Sequence, residues 1–292
     1  MTRTLTAELA IDVQAELGEG PAWDNRDGRL LWVDIHQGLF HRYDPLSGDN
    51  TTRGLGTPIG GVVPHADGGY VAATGTGFDW LRPDGSIVPL AAVAGDGMRM
   101  NDGACAPDGA FWSGSMALDR RPGAGTLYRL GTDGVASPRL TGLTISNGIA
   151  FTPDGTCCYF IDTPTMRIDV CALDSPDQSV TSRRPFVRIP EGTGRPDGLA
   201  LDDEGCVWVA MVRAGRIHRY TPAGVLDTVV TVPVAWTTSC AFGGADGRTL
   251  FITTASTLQG VSSPDEGAGG VFAVDAGVSG PAALSYRPDV TR

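Results

Sequence analysis

The chain has no lysine, so its basic side chains are arginines and four histidines. That excludes Schiff-base catalysis and the lysine of a phosphate-binding loop. Basic residues are scarce as a class: 22 arginines stand against 33 carboxylates, for a net charge of −11. Nucleic acid is therefore not an expected partner, because phosphate binding needs a basic footprint. No CxxC spacing occurs among Cys105, Cys157, Cys158, Cys171, Cys206 and Cys240. They read as reduced, mostly buried thiols of a cytosolic protein, with the adjacent Cys157–Cys158 pair as the one place for redox chemistry. Long apolar runs are missing too. No segment reaches the about 18 residues that cross a membrane, so no membrane is expected. The start, MTRTLTAELAIDV, lacks the apolar core of a signal peptide, which points to the cytoplasm. Sustained helical periodicity is absent, and so is a G-x-S-x-G elbow. Ser113 and Ser239 have no histidine partner evident in the sequence.

Turn formers are abundant: Gly 41 and Pro 20 in 292 residues argue for many short elements. They fall into a repeat. RDGRLLWVD, ADGGYVAAT, PDGAFWSGS, PDGTCCYFID, DEGCVWVAM and ADGRTLFITT each set an Asp/Glu-Gly turn before an apolar strand. Their turn glycines are Gly28, Gly68, Gly109, Gly155, Gly205 and Gly247, spaced by 40, 41, 46, 50 and 42 residues. A second series follows each: GLFHRYDP, GFDWLRPDG, GTLYRLGTDG, RIDVCALDS, GRIHRYTP and GVFAVDAG. Six strand–turn–strand units at this period predict an all-β, six-bladed β-propeller occupying residues 1–292 as one domain. The Asp-Gly pairs suit tight hairpins. The ring needs closing, and TAELAIDV near the N-terminus is expected to supply the outer strand of the last blade, with AALSYR near the C-terminus as the other candidate.

Counting eight or nine residues back from each turn glycine reaches one equivalent position per blade: Glu19, Gly60, Asn101, Asn147, Asp197 and Ser239. Here the innermost strand of each blade begins, and side chains point to the central channel. Buried carboxylates are costly unless paired or metal-bound, and no lysine exists to pair them. The count sets Glu19 and Asp197 three blades apart, facing each other across the axis, with Asn147 on the blade next to Asp197. Two carboxylates and an amide oxygen make a hard-oxygen site for Ca²⁺, Mg²⁺, Mn²⁺ or Fe²⁺. The plainer alternative is polar strand ends hydrogen-bonded to channel water. His36, His41, His65 and His218 miss the axial positions, which excludes a histidine-dominated zinc site. His41 and His218 share one strand position, in FHRY and IHRY, and read as a packing repeat.

The motifs LGEGPAW (17–23), LLWVDI (30–35), RMNDG (99–103), SNGIAF (146–151), YFIDT (159–163), RPDGLALDDEGCVWVA (195–210) and SCAFGG…LFITTA (239–255) resemble the senescence-marker-protein, gluconolactonase and luciferin-regenerating-enzyme family, which includes regucalcin and bacterial sugar lactonases. The likeness spans nearly the whole chain and is greatest to bacterial aldonolactonases. It implies a hydrolase of carbohydrate metabolism that opens a small-molecule sugar lactone with one divalent cation (Ca, Mn, Zn, Mg or Fe(II)). It implies Glu19, Asn147 and Asp197 as metal ligands and Arg99 and Asn101 as sugar contacts. Asp197 is the candidate general base, unless the cation itself ionises the water. One departure stands out: vertebrate members carry acidic residues after G-[ST]-M-A, where this chain has Leu118 and Asp119. Two other readings stay open. One is another hydrolytic or ring-forming reaction on the same metal site, such as phosphotriester cleavage. The other is a non-catalytic metal-binding or protein-binding propeller.

Overall fold

In a computed structural model that describes residues 2–174 and 178–289, the repeat becomes six successive antiparallel sheets, here called blades 1 to 6. Their innermost strands are Gly18–Asp24, Ile59–Pro64, Met98–Cys105, Ser146–Phe151, Arg195–Leu201 and Thr237–Gly243. The apolar strands after the Asp/Glu-Gly turns are second in each blade. Val207–Val212 of blade 5 is buried at every residue, because a neighbouring blade covers each of its faces. Hence these strands read as continuous apolar runs. The second repeat series forms the third strands, such as Leu39–Tyr43 and Arg216–Tyr220. Apolar clusters fill the spaces between blades; Trp208 and Ile217 of blade 5, for example, pack with Phe242 and Ile252 of blade 6.

All six turn glycines adopt positive φ, from 67° at Gly28 to 95° at Gly68. The turns are wider than two-residue hairpins. In blade 3, Ala106 N donates to Ala110 O and Gly109 N to Ala106 O, both at 2.9 Å, closing a three-residue loop with glycine in the left-handed position. The preceding aspartate holds the turn: Asp108, Asp154 and Asp246 each accept the N–H two residues on, at 3.0–3.1 Å.

The N-terminal segment closes the ring as expected, and also extends the neighbouring blade. Glu8–Ile11 pairs antiparallel with Val271–Asp275 as the outer strand of blade 6. Arg3–Thr6 then runs parallel to Leu226–Thr231, the outer strand of blade 5. The alternative segment AALSYR has another place: Tyr286 is buried against blades 2 and 3, and its hydroxyl donates to Gly131 O at 2.9 Å. His41 stacks on Trp32 at 3.8 Å between centroids, and His218 shares a hydrogen bond with the Tyr220 hydroxyl. Burial pushes both imidazoles down to about 4, so they stay neutral packing groups. All six cysteines are free thiols. The two drawn together are Cys158 and Cys171, cross-strand neighbours in blade 4, rather than the sequential Cys157 and Cys158, whose side chains point to opposite faces of one strand. Among the described residues no helix is long and apolar enough to cross a membrane.

Candidate functional site

In every blade the ladder between the first two strands slips near the axis: at Glu19/Ala22, Ile59/Gly61, Met100/Gly103, Ser146/Ile149, Pro196/Leu199 and Thr237/Ser239. A β-bulge re-aims side chains and releases backbone from pairing, which lets six strand ends converge. Gly60, Asn101, Asn147 and Asp197 lie inside the slip and Glu19 at its edge. In blade 6 the slipped residue is Thr238, one before the expected Ser239, which pairs with Thr253. Glycines at and after these positions have a steric cause. A Cβ on Gly60 would meet Asn101 O at 2.2 Å, and one on Gly198 would meet Ser239 Oγ at 2.0 Å.

Strand order corrects one geometric expectation. Glu19 lies on blade 1 and Asp197 on blade 5, so only blade 6 separates them; the count of three ignored the short way round the ring. Asn147 on blade 4 is the residue opposite Glu19. The expected residues are nonetheless brought together. Asn147 Nδ2 donates to Asp197 Oδ1 and, at 3.0 Å, to Thr163 Oγ1. Its Oδ1 is buried with no hydrogen-bond partner. Arg99 Nη1 donates to Asn101 Oδ1 at 2.6 Å and to Met100 O at 2.9 Å. Asn101 Nδ2 donates in turn to Ser146 O at 2.8 Å, tying blade 3 to blade 4. Both functional atoms of Asn101 are thus engaged, leaving one N–H free.

Asp102 completes the group and was not among the residues expected from the sequence. It shares the blade 3 bulge with Asn101, is buried, and accepts Gly103 N at 2.7 Å. The RMNDG motif displays it, but counting one residue per blade passes over a bulge that releases two. Burial drives the electrostatics. Glu19 is pushed well above the usual carboxylate range, by burial first and then by the charges of Asp197 and Asp102. Asp102 is pushed up to about 7 by burial. Asp197, half-buried, is raised to about 8 by burial and then by Asp102. Against three carboxylates stands Arg99, itself lowered to about 10 by burial. Three acidic groups with one guanidinium and one orphaned amide oxygen suit a divalent cation.

A second acidic cluster differs. Asp202, Glu204 and Cys206 converge at the blade 5 turn. Both oxygens of Asp202 are spent, however. Oδ2 accepts Arg219 Nε at 2.8 Å and Trp208 Nε1 at 2.9 Å, and Oδ1 accepts the N–H groups of Glu204 and Cys206. Arg219 already supplies the positive charge, so this is an ion-pair network.

Comparison with known proteins adds independent weight. The family model described as SMP-30/Gluconolactonase/LRE-like region matches residues 17–256. The chain is 34% identical over 292 residues to the pentonolactonase of Haloferax volcanii, covering 98% of this chain and 99% of that one. It is 35% identical over 253 residues to the 6-deoxy-6-sulfogluconolactonase of Pseudomonas putida, covering 85% and 86%. Among solved structures, a calcium-binding regucalcin of Agrobacterium tumefaciens superposes with a TM-score of 0.91 at 28% identity, over 98% of this chain and 100% of that one.

Proposed function

This chain belongs to the SMP-30/gluconolactonase/LRE-like family, and from that premise we propose that it hydrolyses the ring ester of a sugar lactone, an aldono-1,4- or 1,5-lactone, with a divalent cation at the axial site. The observation that carries this reading is the excess of buried carboxylate around an orphaned amide oxygen. Glu19, Asp197 and Asn147 Oδ1 would hold the cation, with Asp102 adding negative charge beside it. When bound, the cation supplies positive charge to the lactone carbonyl oxygen as ring opening begins.

The chain's own groups account for the proton movements. Asp197 is half-buried where the other axial carboxylates are enclosed, so water can reach it. Its Oδ1 accepts Asn147 Nδ2 and with its second lone pair would be the oxygen offered to the cation, which leaves Oδ2 to take a proton from water. As that proton leaves, the water oxygen bonds to the carbonyl carbon. Collapse then breaks the ring C–O bond, and Asp197 returns the proton to the departing alkoxide. Arg99, anchored through one nitrogen to Asn101 and Met100, keeps donors on its other nitrogens for sugar oxygens. The locked Asn101 side chain acts mainly through Arg99, with one N–H of its own to offer.

Dialysed protein should hydrolyse a panel of γ- and δ-aldonolactones when Ca²⁺, Mn²⁺, Mg²⁺, Zn²⁺ or Fe²⁺ is restored. Silence on every lactone with every cation would overturn the lactonase reading. Asp197→Asn should fold normally and lose nearly all turnover; activity within about tenfold of the parent would remove Asp197 from the role of base.

A further inference from the structure

The loop after the second strand of blade 3 carries a cation that the hydrolysis above does not use. Arg99 pairs with Met116 and Met98 with Ala117 where this strand runs beside the innermost one. The chain then folds back over the channel mouth: Leu118 N donates to Gly97 O and Arg120 N to Ala117 O, both at 2.9 Å. Arg120 turns the corner with φ 58°, a left-handed backbone that an arginine rarely takes. Its neighbour Arg121 is neutralised by Asp119 at 3.1 Å. Arg120 has no such partner. It is half-buried, and among the described residues no carboxylate oxygen lies within 4.0 Å of its guanidinium. The pairing of Met98 with Ala117 and the bond from Leu118 N to Gly97 O hold its loop beside the start of the strand that carries Arg99, and its charge disfavours protonation of Arg99 on blade 3 and of His36 on blade 1. Two carboxylates act on His36 in the opposite sense, Asp34 and Glu16, the latter 3.8 Å from the imidazole.

An unneutralised guanidinium beside a second guanidinium, in a protein of net charge −11, is a local exception with a use. The loop follows the strand end paired with Met98, so it lies at the end of blade 3 where the axial residues begin their strand, and a lactone held over Glu19, Asn147 and Asp197 would present its far end on that side. We propose that Arg120 is a specificity residue that engages an anionic group on the carbon remote from the lactone carbonyl, so that the preferred substrate is a sugar lactone with a terminal phosphate, sulfonate or carboxylate. A planar guanidinium matches any of these with two parallel hydrogen bonds. The proposal rests on the lactonase reading and narrows its substrate class.

The test compares kcat/KM for glucono-1,5-lactone and its 6-phosphate, with the cation restored, in the parent, Arg120→Gln and Arg120→Lys. The parent should prefer the phosphorylated lactone by about tenfold or more at low salt, and Arg120→Gln should remove most of that preference. Arg120→Lys should keep part of it, and 0.5 M NaCl should shrink it in the parent through screening. Hydrolysis of both lactones with no preference, or a preference that Arg120→Gln leaves intact, overturns the proposal while the lactonase reading stands. Failure to hydrolyse either of these lactones overturns the proposal, and the lactonase reading falls with it only if the full panel of γ- and δ-aldonolactones is silent too.

Discussion

Three acidic side chains and one arginine share the axial channel, and their burial makes the metal-free protein sensitive to pH. Asp102 and Asp197 titrate near 7 and 8 in the folded protein, against about 3.9 for an unfolded aspartate. Between those limits the native state binds protons that the unfolded chain has released, so stability falls as pH rises from about 4 to 8. Partial exposure of Asp197 screens the effect, leaving an expected drop of a few degrees in Tm for dialysed protein between pH 5 and pH 8. A bound divalent cation reverses the sign, because its ligands must be ionised and it binds only the folded state. Melting curves at both pH values, with and without cation, check this; equal Tm for the dialysed protein at pH 5 and 8 would show that the carboxylates are not proton-bound. Asp102→Asn separates the two roles of that charge. The amide keeps the acceptor for Gly103 N but removes one negative charge. It should stabilise the dialysed protein at pH 8 and weaken cation binding by about tenfold, or ~1.4 kcal/mol, by calorimetry. A gain in stability without a loss of cation affinity would put Asp102 outside the metal's field.

The bulge of each innermost strand is the element that converts the repeat into a site. It requires side chains small enough for neighbouring blades to approach. Gly60→Ala puts a methyl group 2.2 Å from the Asn101 carbonyl oxygen, which is backbone and cannot rotate away. It should destabilise the fold by about 1–3 kcal/mol and disturb Arg99 through Asn101. Gly28, with nothing within 4 Å of its Cβ position and φ 67°, should accept asparagine at little cost. Denaturant midpoints for Gly60→Ala and Gly28→Asn test the contrast, and equal losses would refute it. The same elements explain what the sequence discloses. First, second and third strands are legible, because turn glycines and doubly buried apolar runs repeat six times. Fourth strands such as Asn50–Gly54 and Val180–Arg188 are mostly solvent-facing, so no hydrophobic pattern betrays them. Glu19, Asn101, Asn147 and Asp197 can be counted out because each blade repeats their position. Asp102 and Thr238 cannot, since bulge length varies by a residue between blades and only the ladder register reveals it. Arg120 belongs to a loop outside the repeat, where position carries no information.

At the scale of the whole ring, stability depends on closing the last blade to the first. Blades 1 to 5 each contain four consecutive strands, but blade 6 draws its outer strand from the other end of the chain. Glu8–Ile11 covers Val271–Asp275 and buries Ile11 among Trp23, Trp32 and Phe251, so removing it exposes the seam between blades 6 and 1. The strand before it differs. Arg3–Thr6 is largely exposed and only extends a blade that is already complete. Removal of residues 1–6 should therefore cost about 1–2 kcal/mol, the scale of an exposed strand pairing, while removal of residues 1–13 should lower the denaturant midpoint far more or abolish cooperative unfolding. The axial site reports the same event, because Thr238 of blade 6 donates to Gly18 O of blade 1 at 2.5 Å beside Glu19. Loosening the seam lets Glu19 drift from Asp197 and Asn147, so the longer truncation should lose cation affinity even under conditions where it stays folded. Unfolding curves and cation titrations of both truncations decide the matter: if the two lose equal stability, or if the longer one binds the cation like the full chain, the seam does not hold the metal-binding geometry.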